Sequence, residues 1–349
     1  MADSIRVDAP GGAYDIQIQP GMLAALHERP EAYGLKGRLV LVTNSTLAPL
    51  YGEALADSLG ALLVTIEDGE RYKTLATVAD LYRAFINGGL DRYGTVLALG
   101  GGVVGDAVGF AAATYMRGVR LVQVPTSLLA MVDSSVGGKV GVDLPEGKNL
   151  VGAFKQPDRV LIDTDVLATL PPLEWRHGMA EVIKHGLLAD ERLLQSDLHT
   201  PDRAPELVER AIKVKVDVVQ RDPYEQGVRA HLNLGHTFAH AIEQMTGYAW
   251  AHGDAVAVGL AAAVRLSCRL RLCDEALVER VENLLAGLNL PRRIGDLDPE
   301  ALYAAMATDK KWREGRSRFV LLRRVGDPLI MEGVDRQLVL SVLNELRTT

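Results

Sequence analysis

Three of the eight histidines, His236, His240 and His252, lie within a stretch of seventeen residues. His236 and His240 are four positions apart in a helical pattern, which places both side chains on one helix face, one turn apart. Two imidazoles at this spacing are a recognised way to bind a metal ion, and His252 offers a further ligand after a short loop. Alternatively, each histidine makes an ordinary hydrogen bond in the folded protein. Their clustering favours the metal site.

A carboxylate and an amine, Glu181 and Lys184, lie three positions apart in a helical segment that is otherwise largely apolar. One interpretation is an exposed ion pair within a single helix. A carboxylate that faced the protein interior would instead need a cation such as a metal ion. One carboxylate with two or three imidazoles and an open coordination position is typical of a catalytic metal site.

A glycine-rich turn at residues 100–106 follows a predicted strand, opens a predicted helix and contains the spacing G-x-G-x-x-G. Such glycines let the backbone approach a pyrophosphate, while the helix N-terminus supplies aligned N–H donors. The alternative is a tight turn without a ligand. The next strand ends in Pro-Thr-Ser at 125–127 and lacks the acidic residue that usually binds a ribose. Acidic candidates lie upstream at residues 68–70, and Lys73 adds a positive charge there, which predicts a different wrapping of the nucleotide.

Two lysines among glycines, Lys139 and Lys148, lie in a segment predicted as a polar loop between core strands, from 131 to 152. They are either solvated surface charges or cations beside a bound anion, and the neighbouring glycines favour the second interpretation. The formal net charge of the chain is -7. An anionic substrate must therefore be bound by locally placed cations, because the protein as a whole does not attract it.

These residues must be positioned by two kinds of element. The first half alternates short β-branched runs with helical patterns, which predicts an α/β domain with a mostly parallel, Rossmann-like sheet at residues 1–170. A hairpin of residues 5–7 and 14–18 is appended to it. The second domain, 171–349, is predicted to be mostly α-helical with one late hairpin. The predicted sheet strands are 38–43, 61–67, 95–99, 120–124 and 159–163, and the predicted helices are 204–220, 237–245 and 255–272.

The composition is that of a folded protein, with 48% hydrophobic and 24% charged residues. The N-terminus lacks the basic start and apolar run of a signal peptide. The longest apolar stretch, at 255–264, suits a buried core helix better than a membrane span. The sequence therefore predicts a cytoplasmic protein with no affinity for nucleic acid or membranes.

Taken together and in order, six motifs resemble the 3-dehydroquinate synthase family, over roughly residues 42–322. They are Gly-Gly-Gly-Val-Val-Gly-Asp at 100–106, Asp-Ser-Ser-Val-Gly-Gly-Lys at 133–139, Gly-Lys-Asn at 147–149, Met-Ala-Glu-Val-Ile-Lys at 179–184, Leu-Asn-Leu-Gly-His-Thr at 232–237 and Asp-Lys-Lys at 309–311. The resemblance implies a homodimeric enzyme that uses NAD and one zinc or cobalt ion. It would convert 3-deoxy-D-arabino-heptulosonate 7-phosphate to 3-dehydroquinate and phosphate.

The resemblance also implies roles for individual residues. Glu181, His236 and His252 would bind the metal, which replaces the pairing of His236 with His240 that spacing alone favours. His240 would act in catalysis near the phosphate. The phosphate would be bound by Lys139, Asn149, Asn233 and one of Lys310 or Lys311, with Arg117 from the partner subunit. The residues around the substrate carboxylate and hydroxyls would be Asp133, Lys184, Lys215, Glu225 and Arg229. The NAD-binding residues would be Asn44, Asp68, Gly69, Glu70, Lys73, Gly102, Val103, Val104, Gly105, Asp106, Thr126, Ser127, Lys139, Lys148 and Thr169.

Rival interpretations are a metal-dependent polyol dehydrogenase, a cyclase that makes a cyclitol, and a non-catalytic protein that senses NAD. A dehydrogenase needs no phosphate-binding lysines, and other cyclases replace several residues of this set. Retention of a metal triad argues against the sensor. The chain departs from the family pattern at Ala239 and Asp254, where many members carry Gly and Glu, but neither is a proposed ligand. Fold alone decides none of these alternatives.

Overall fold

The structure is a computed structural model that describes residues 3–10, 12–307 and 317–347. The chain forms two compact units. The first comprises Met1–Pro171 together with Ala204–Val216. The second comprises Pro172–Arg203 and Asp217–Thr349. A single helix, Ala204–Arg221, therefore supplies residues to both units.

The first unit is built on a sheet of seven strands in the order β1-β2-β9-β6-β5-β3-β4. All neighbouring pairs are parallel except the β1–β2 hairpin, so the predicted parallel sheet with an appended hairpin is confirmed. The elements of this unit are β1 (Asp3–Val7), β2 (Tyr14–Ile18), α1 (Met22–Ala25), β3 (Leu39–Asn44), α2 (Glu53–Leu59), β4 (Leu62–Ile66), α3 (Leu75–Asn87), β5 (Thr95–Gly100), α4 (Gly102–Thr114), β6 (Arg120–Pro125), β7 (Lys139–Leu144), β8 (Gly147–Phe154) and β9 (Arg159–Ile162).

Both faces of the sheet are buried, as the continuous apolar strands predict for a parallel sheet. Side chains alternate along β5: Val96 and Ala98 join a core cluster with α3 and α4, while Leu97 and Leu99 join a cluster on the opposite face with α1 and α2. Parallel pairing brings the carboxyl ends of β3, β4, β5 and β6 to one edge. Ligands of open α/β sheets bind at such an edge.

The predicted polar loop at 131–152 is wrong, because β7 and β8 form an antiparallel hairpin there. Val140 and Val142 join the core cluster beside α4. A Cβ atom on Gly141 would lie 2.6 Å from the carbonyl oxygen of Val151, and one on Gly152 would lie 2.5 Å from that of Val140. The glycines that suggested a loop are therefore required by close backbone contact between two strands.

The second unit is mostly helical, with one small hairpin, as predicted. Its central helix, α8, packs against α5, α7, α9 and β10. Residues 255–264 of α8 are buried on all sides, which confirms the predicted core helix. In the described part of the chain, no helix is long and apolar enough to cross a membrane. The elements are α5 (Pro172–Leu188), α6 (Ala204–Arg221, shared with the first unit), α7 (His236–Met245), α8 (His252–Arg269), α9 (Glu275–Gly287), α10 (Pro299–Ala307), β10 (Arg318–Arg324), β11 (Asp327–Glu332) and α11 (Arg336–Glu345).

Candidate metal centre and nucleotide site

A buried carboxylate faces two imidazoles in the second unit. Glu181, on α5, is 1% exposed, and its Oε1 lies 3.4 Å from Nε2 of His236 and 3.5 Å from Nε2 of His252. One ligand atom from each of the three residues lies within 4.8 Å of the others. An oxygen and two imidazole nitrogens are donors that zinc and cobalt accept. The structure thus brings together the three residues that the family resemblance implies for the metal.

The outer nitrogens of both imidazoles also have acceptors nearby. Nδ1 of His236 lies 3.2 Å from the carbonyl oxygen of Leu234, and Nδ1 of His252 lies 3.4 Å from Oε1 of Glu243. With a metal ion bound, a proton on each Nδ1 would leave the lone pair of each Nε2 free for the ion. Metal-binding histidines commonly show this arrangement, so the residues present fit a divalent metal.

The interpretation of Glu181 and Lys184 as an exposed ion pair is wrong, because both side chains are almost fully buried where they contact each other. Burial opposes ionisation of Glu181, but Lys184 and His236 outweigh it and hold the pKa of Glu181 well below its usual range. Burial lowers the pKa of His252, yet Glu181 and Glu243 together raise that pKa to about 9. The centre therefore concentrates negative charge where a cation would bind.

Small residues bring the ligand-bearing helices close together. Gly235, with φ of 79°, precedes α7, and a Cβ atom on it would lie 2.8 Å from the backbone nitrogen of Leu260. A Cβ atom on Gly253 would lie 2.4 Å from Cα of His177, on α5. His240 lies one turn beyond His236, with ring centroids 5.6 Å apart, but it is not a member of the three-residue cluster. Packing of α7 against α8 therefore brings His252, and not the neighbour favoured by spacing, into the cluster with Glu181 and His236.

The nucleotide-binding residues predicted in the first unit lie along the carboxyl edge of its sheet. Nδ2 of Asn44, at the end of β3, donates to Oδ1 of Asp68 at 2.7 Å. The backbone N–H of Thr126, after β6, donates to the carbonyl oxygen of Gly100 at 3.1 Å. A Cβ atom on Gly101 would lie 3.4 Å from Oγ of Ser127. Gly102, Val103, Val104, Gly105 and Asp106 form the first turns of α4.

Beside this turn lies a cluster of charged side chains. Nζ of Lys73, which is 3% exposed, lies 2.8 Å from Oδ2 of Asp106 and 3.7 Å from Oε1 of Glu70. Burial lowers the pKa of Lys73, but Asp106 and Glu70 outweigh it, so that its pKa is raised. Nζ of Lys148 lies 3.8 Å from Oε1 of Glu70, which follows Gly69 in the same turn. The structure thus brings these predicted NAD-binding residues together.

The other predicted residues of the first unit are distributed around it. Oδ1 of Asp133 lies 2.8 Å from Nζ of Lys215. Asn149 has φ of 52°, and its N–H donates to Oδ1 of Asp143 at 2.7 Å. Lys139 is exposed at the start of β7. The hydroxyl of Thr169 lies 2.7 Å from that of Tyr51.

In the second unit, the residues predicted to contact substrate include a connected pair. Nδ2 of Asn233 donates to Oε1 of Glu225 at 2.7 Å. Arg229 is buried, and its guanidinium donates to the carbonyl oxygen of Pro223 at 2.6 Å. The prediction for Lys310 and Lys311 lies outside the described residues.

Three carboxylates that support these residues were not predicted from the sequence. Glu243 approaches His252, Asp143 accepts from Asn149, and Asp222 accepts from the backbone N–H groups of the loop that leads to Arg229. Glu243 follows His236 by seven positions, a spacing that places it on the same helix face. This spacing could have indicated Glu243 from the sequence, whereas the hydrogen-bond partners of Asp143 and Asp222 depend on turn geometry.

Comparison with known proteins identifies the family. The model of the 3-dehydroquinate synthase N-terminal region matches residues 63–177, and that of the C-terminal region matches residues 178–312. A 3-dehydroquinate synthase from a Synechocystis species is 43% identical, with 98% of this chain and 100% of the relative covered.

Two solved structures are also similar. A 2-epi-5-epi-valiolone synthase from Streptomyces hygroscopicus subsp. jinggangensis 5008, with NAD+ and Zn2+ bound, has a TM-score of 0.88 and 31% identity, covering 98% of this chain and 99% of that one. A 2-deoxy-scyllo-inosose synthase complexed with carbaglucose-6-phosphate, NAD+ and Co2+ has a TM-score of 0.88 and 27% identity, covering 98% of this chain and 100% of that one. Because the two family regions together match residues 63–312 and the Synechocystis relative covers 98% of the chain, the chain belongs to the 3-dehydroquinate synthase family.

Proposed function

We propose that the chain is a 3-dehydroquinate synthase, which converts 3-deoxy-D-arabino-heptulosonate 7-phosphate to 3-dehydroquinate and phosphate. The observation that carries this proposal is the buried cluster of Glu181, His236 and His252 in a chain that matches its relatives from end to end. A buried, ionised carboxylate favours a bound cation, and a metal with three protein ligands and an open coordination position is typical of an enzyme.

Glu181, His236 and His252 would hold a zinc or cobalt ion in the second unit. Three protein ligands leave a coordination position open for substrate, as in catalytic zinc sites. When bound, the metal supplies polarisation of substrate oxygens. Lys184, which lies beside Glu181, would hold the carboxylate and hydroxyls of the substrate together with Glu225 and Arg229.

The first unit would bind NAD along the carboxyl edge of its sheet. The first turn of α4 would offer backbone N–H groups to the pyrophosphate, and residues from Asp68 to Lys73 would hold the rest of the nucleotide. When bound, NAD supplies a hydride acceptor and later a hydride donor. Lys139 and Asn149 are the phosphate contacts proposed in this unit; those proposed in the second unit are Asn233 and one of Lys310 or Lys311. Asp133 and Lys215 complete the substrate-binding residues.

The substrate chemistry then proceeds without net oxidation. The alcohol next to the carbon that loses a proton is oxidised to a ketone, which acidifies that proton. Phosphate leaves by elimination, and the ketone is reduced again with the same hydride. The ring opens, and an intramolecular aldol step closes the carbocycle. The imidazole of His240, near the phosphate, is suited to move a proton during elimination.

The decisive assay supplies the heptulosonate phosphate with a trace of NAD and follows phosphate release. We expect many turnovers per NAD and no accumulated NADH, because one site removes and returns the same hydride. NADH that accumulates one for one with product would support a polyol dehydrogenase instead. A hexose 6-phosphate is the matched control, since it lacks the carboxylate for which cations are provided; rapid phosphate release from it would favour a cyclitol-forming cyclase.

Dependence on the metal is tested in the same assay. Treatment with a chelator should abolish phosphate release, and zinc or cobalt should restore it, because a metal held by three protein ligands would keep a coordination position for substrate oxygens. Magnesium serves as the control ion, since it prefers oxygen ligands and an octahedral site. Full activity in protein shown by elemental analysis to be free of metal would contradict the proposal.

A further inference from the structure

Glu243 is a buried carboxylate that no step above requires. It lies on α7, is 4% exposed and follows His236 by seven positions, so both residues lie on one face of the helix. Its Oε1 is 3.4 Å from Nδ1 of His252. A carboxylate is buried at a large desolvation penalty, which indicates that its interactions at this position are specific.

The imidazole of His252 lies between two carboxylates. Its Nε2 is 3.5 Å from Oε1 of Glu181, and its Nδ1 faces Glu243. A hydrogen bond from Nδ1 to Glu243 fixes the tautomer in which Nε2 carries the free lone pair. His236 reaches the same state by a different route, because its Nδ1 faces the backbone carbonyl of Leu234.

His252 depends on this support more than His236 does. It is the first residue of α8, whose N-cap, Ala251, provides no side-chain hydrogen bond. Its side chain is 33% exposed, compared with 12% for that of His236. The ring contacts carboxylates outside α8 through both nitrogens, Glu181 at Nε2 and Glu243 at Nδ1, so these contacts orient it. The backbone carbonyl of Glu243 in turn accepts from the N–H of Tyr248 at 2.7 Å, which ties the end of α7 to the loop before α8.

We propose that Glu243 is a positioning residue for the metal centre, which orients His252 and increases the basicity of its Nε2. The inference rests on the proposed function, since it takes Glu181, His236 and His252 as the metal ligands. Outer partners of this kind affect metal affinity by about 10–100-fold. Glu243 thus acts through His252 and touches neither substrate nor NAD.

The experiment measures Zn2+ affinity of the metal-free full chain by competition with a chromophoric chelator, and the visible absorption spectrum after loading with Co2+. Glu243→Gln keeps the size of the side chain but removes its charge, so we expect affinity to fall about tenfold. Glu243→Ala should lower it by about 100-fold and change the Co2+ spectrum, because the ring of His252 loses its orientation. NAD affinity should stay at the wild-type level.

Two further variants separate the possible outcomes. Glu282→Gln is the matched control, because Glu282 is a largely buried carboxylate of the second unit that pairs with Arg265 and Arg293 and not with a histidine. It should bind Zn2+ as the wild type does, and an equal loss there would overturn the inference by indicating general destabilisation. If Glu243→Ala does not fold, as judged by thermal unfolding of the metal-free protein, Glu243→Gln decides alone.

His252→Ala distinguishes the inference from the function beneath it. Wild-type affinity and spectrum in the Glu243 variants, with metal lost in His252→Ala, would overturn the inference and leave the proposed metal site intact. Metal retained in His252→Ala would contradict the metal site itself.

Discussion

At Glu181, one buried carboxylate oxygen faces imidazole nitrogens at 3.4 and 3.5 Å, while Lys184 contacts the other oxygen. Attraction to these neighbours exceeds the penalty of burying an ionised carboxylate, so the pKa of Glu181 is held low. Glu181 is therefore ionised at neutral pH and available to bind a cation. Among the described residues, His236 belongs to the cluster of possible ligands with Glu181 and His252, and His240, one turn further along α7, is not a member of it.

Alanine substitution should separate these two histidines. His236→Ala should lose most of its metal, because a site reduced from three ligands to two holds a divalent ion poorly. His240→Ala should retain metal and NAD but release phosphate more slowly, by about 10²-fold or more, as expected for loss of a proton-transferring group. Metal content per subunit is compared with phosphate release in the two purified variants. Equal loss of metal in both would show that the pair one turn apart chelates together.

At the scale of elements, the close approach of α7 and α8 is set by two glycines. A Cβ atom on Gly259 would lie 2.1 Å from the carbonyl oxygen of Gly235, a backbone atom that has little freedom to move. Gly235 immediately precedes His236, so the separation of these helices also determines where that ligand lies. Glycine at both positions is thus a requirement of helix packing.

Gly259→Ala should therefore weaken both the fold and the metal centre. We expect a loss of about 3 kcal/mol in the free energy of unfolding from overpacking, together with lower Zn2+ affinity. Gly287→Ala is the matched control, because among the described residues nothing outside the adjacent backbone of α9 lies within 4 Å of its Cβ position at the end of that helix. It should be neutral or stabilising by about 0.5–1 kcal/mol. Chemical denaturation and chelator competition measure the two effects; wild-type behaviour of Gly259→Ala would contradict the packing argument.

The loop between α6 and Arg229 depends on one carboxylate. Asp222 accepts from the N–H groups of Gln226, Gly227 and Arg229 at 2.8, 2.6 and 3.0 Å. Burial raises the pKa of Asp222, but these donors outweigh it and the net pKa is lowered. A carboxyl whose pKa is lowered by folding stabilises the protein above its unfolded pKa of about 3.9 and loses that effect as pH falls through the folded pKa.

Asp222→Asn should accordingly cost about 2 kcal/mol of unfolding free energy at pH 7, because charge-assisted hydrogen bonds become neutral ones. The difference from wild type should shrink progressively below about pH 4. Urea unfolding at pH 7 and pH 3 measures it. Asp217, five positions earlier, is exposed, so Asp217→Asn should leave the free energy of unfolding nearly unchanged at both pH values. A difference that grows on acidification would contradict the assignment.

At the scale of the whole molecule, Arg117 is an exposed cation held in an unusual backbone conformation. Met116 and Arg117 have φ of 48° and 64°, and both are exposed. Each such non-glycine residue costs about 1–2 kcal/mol, and strain of this kind is concentrated at functional sites. We propose that Arg117 reaches the phosphate in the partner subunit of a homodimer.

Mixed dimers test this proposal. Arg117→Ala and His236→Ala chains are each expected to be inactive alone. In the mixed dimer, one site combines an intact His236 with Arg117 from the other chain, so some activity should return. A second mixture, in which the His236→Ala chain also carries Arg117→Ala, is the control and should stay inactive. No recovery in demonstrably mixed dimers would place Arg117 in its own subunit's site or outside it.

The sequence by itself determined the elements whose signals are local. The apolar run before Gly100, the glycines after it and the helical pattern beyond them predicted β5, the turn and α4 correctly, because backbone preference and period are properties of a short segment. The motifs also identified the family. For the same reason, the i, i+4 spacing of His236 and His240 could report only that these two residues share a helix face.

Tertiary structure decided what depends on contacts between distant segments. The β7–β8 hairpin was missed because Gly141 and Gly152 weaken the strand signal. Glycine is required at these two positions only because the paired backbones approach closely, which the sequence does not show. Likewise, the position of His252 beside His236, and the approach of Glu243 to His252, arise from the packing of α8 against α7. Side-chain periodicity specifies a face of one helix, whereas a ligand set is specified by which faces meet.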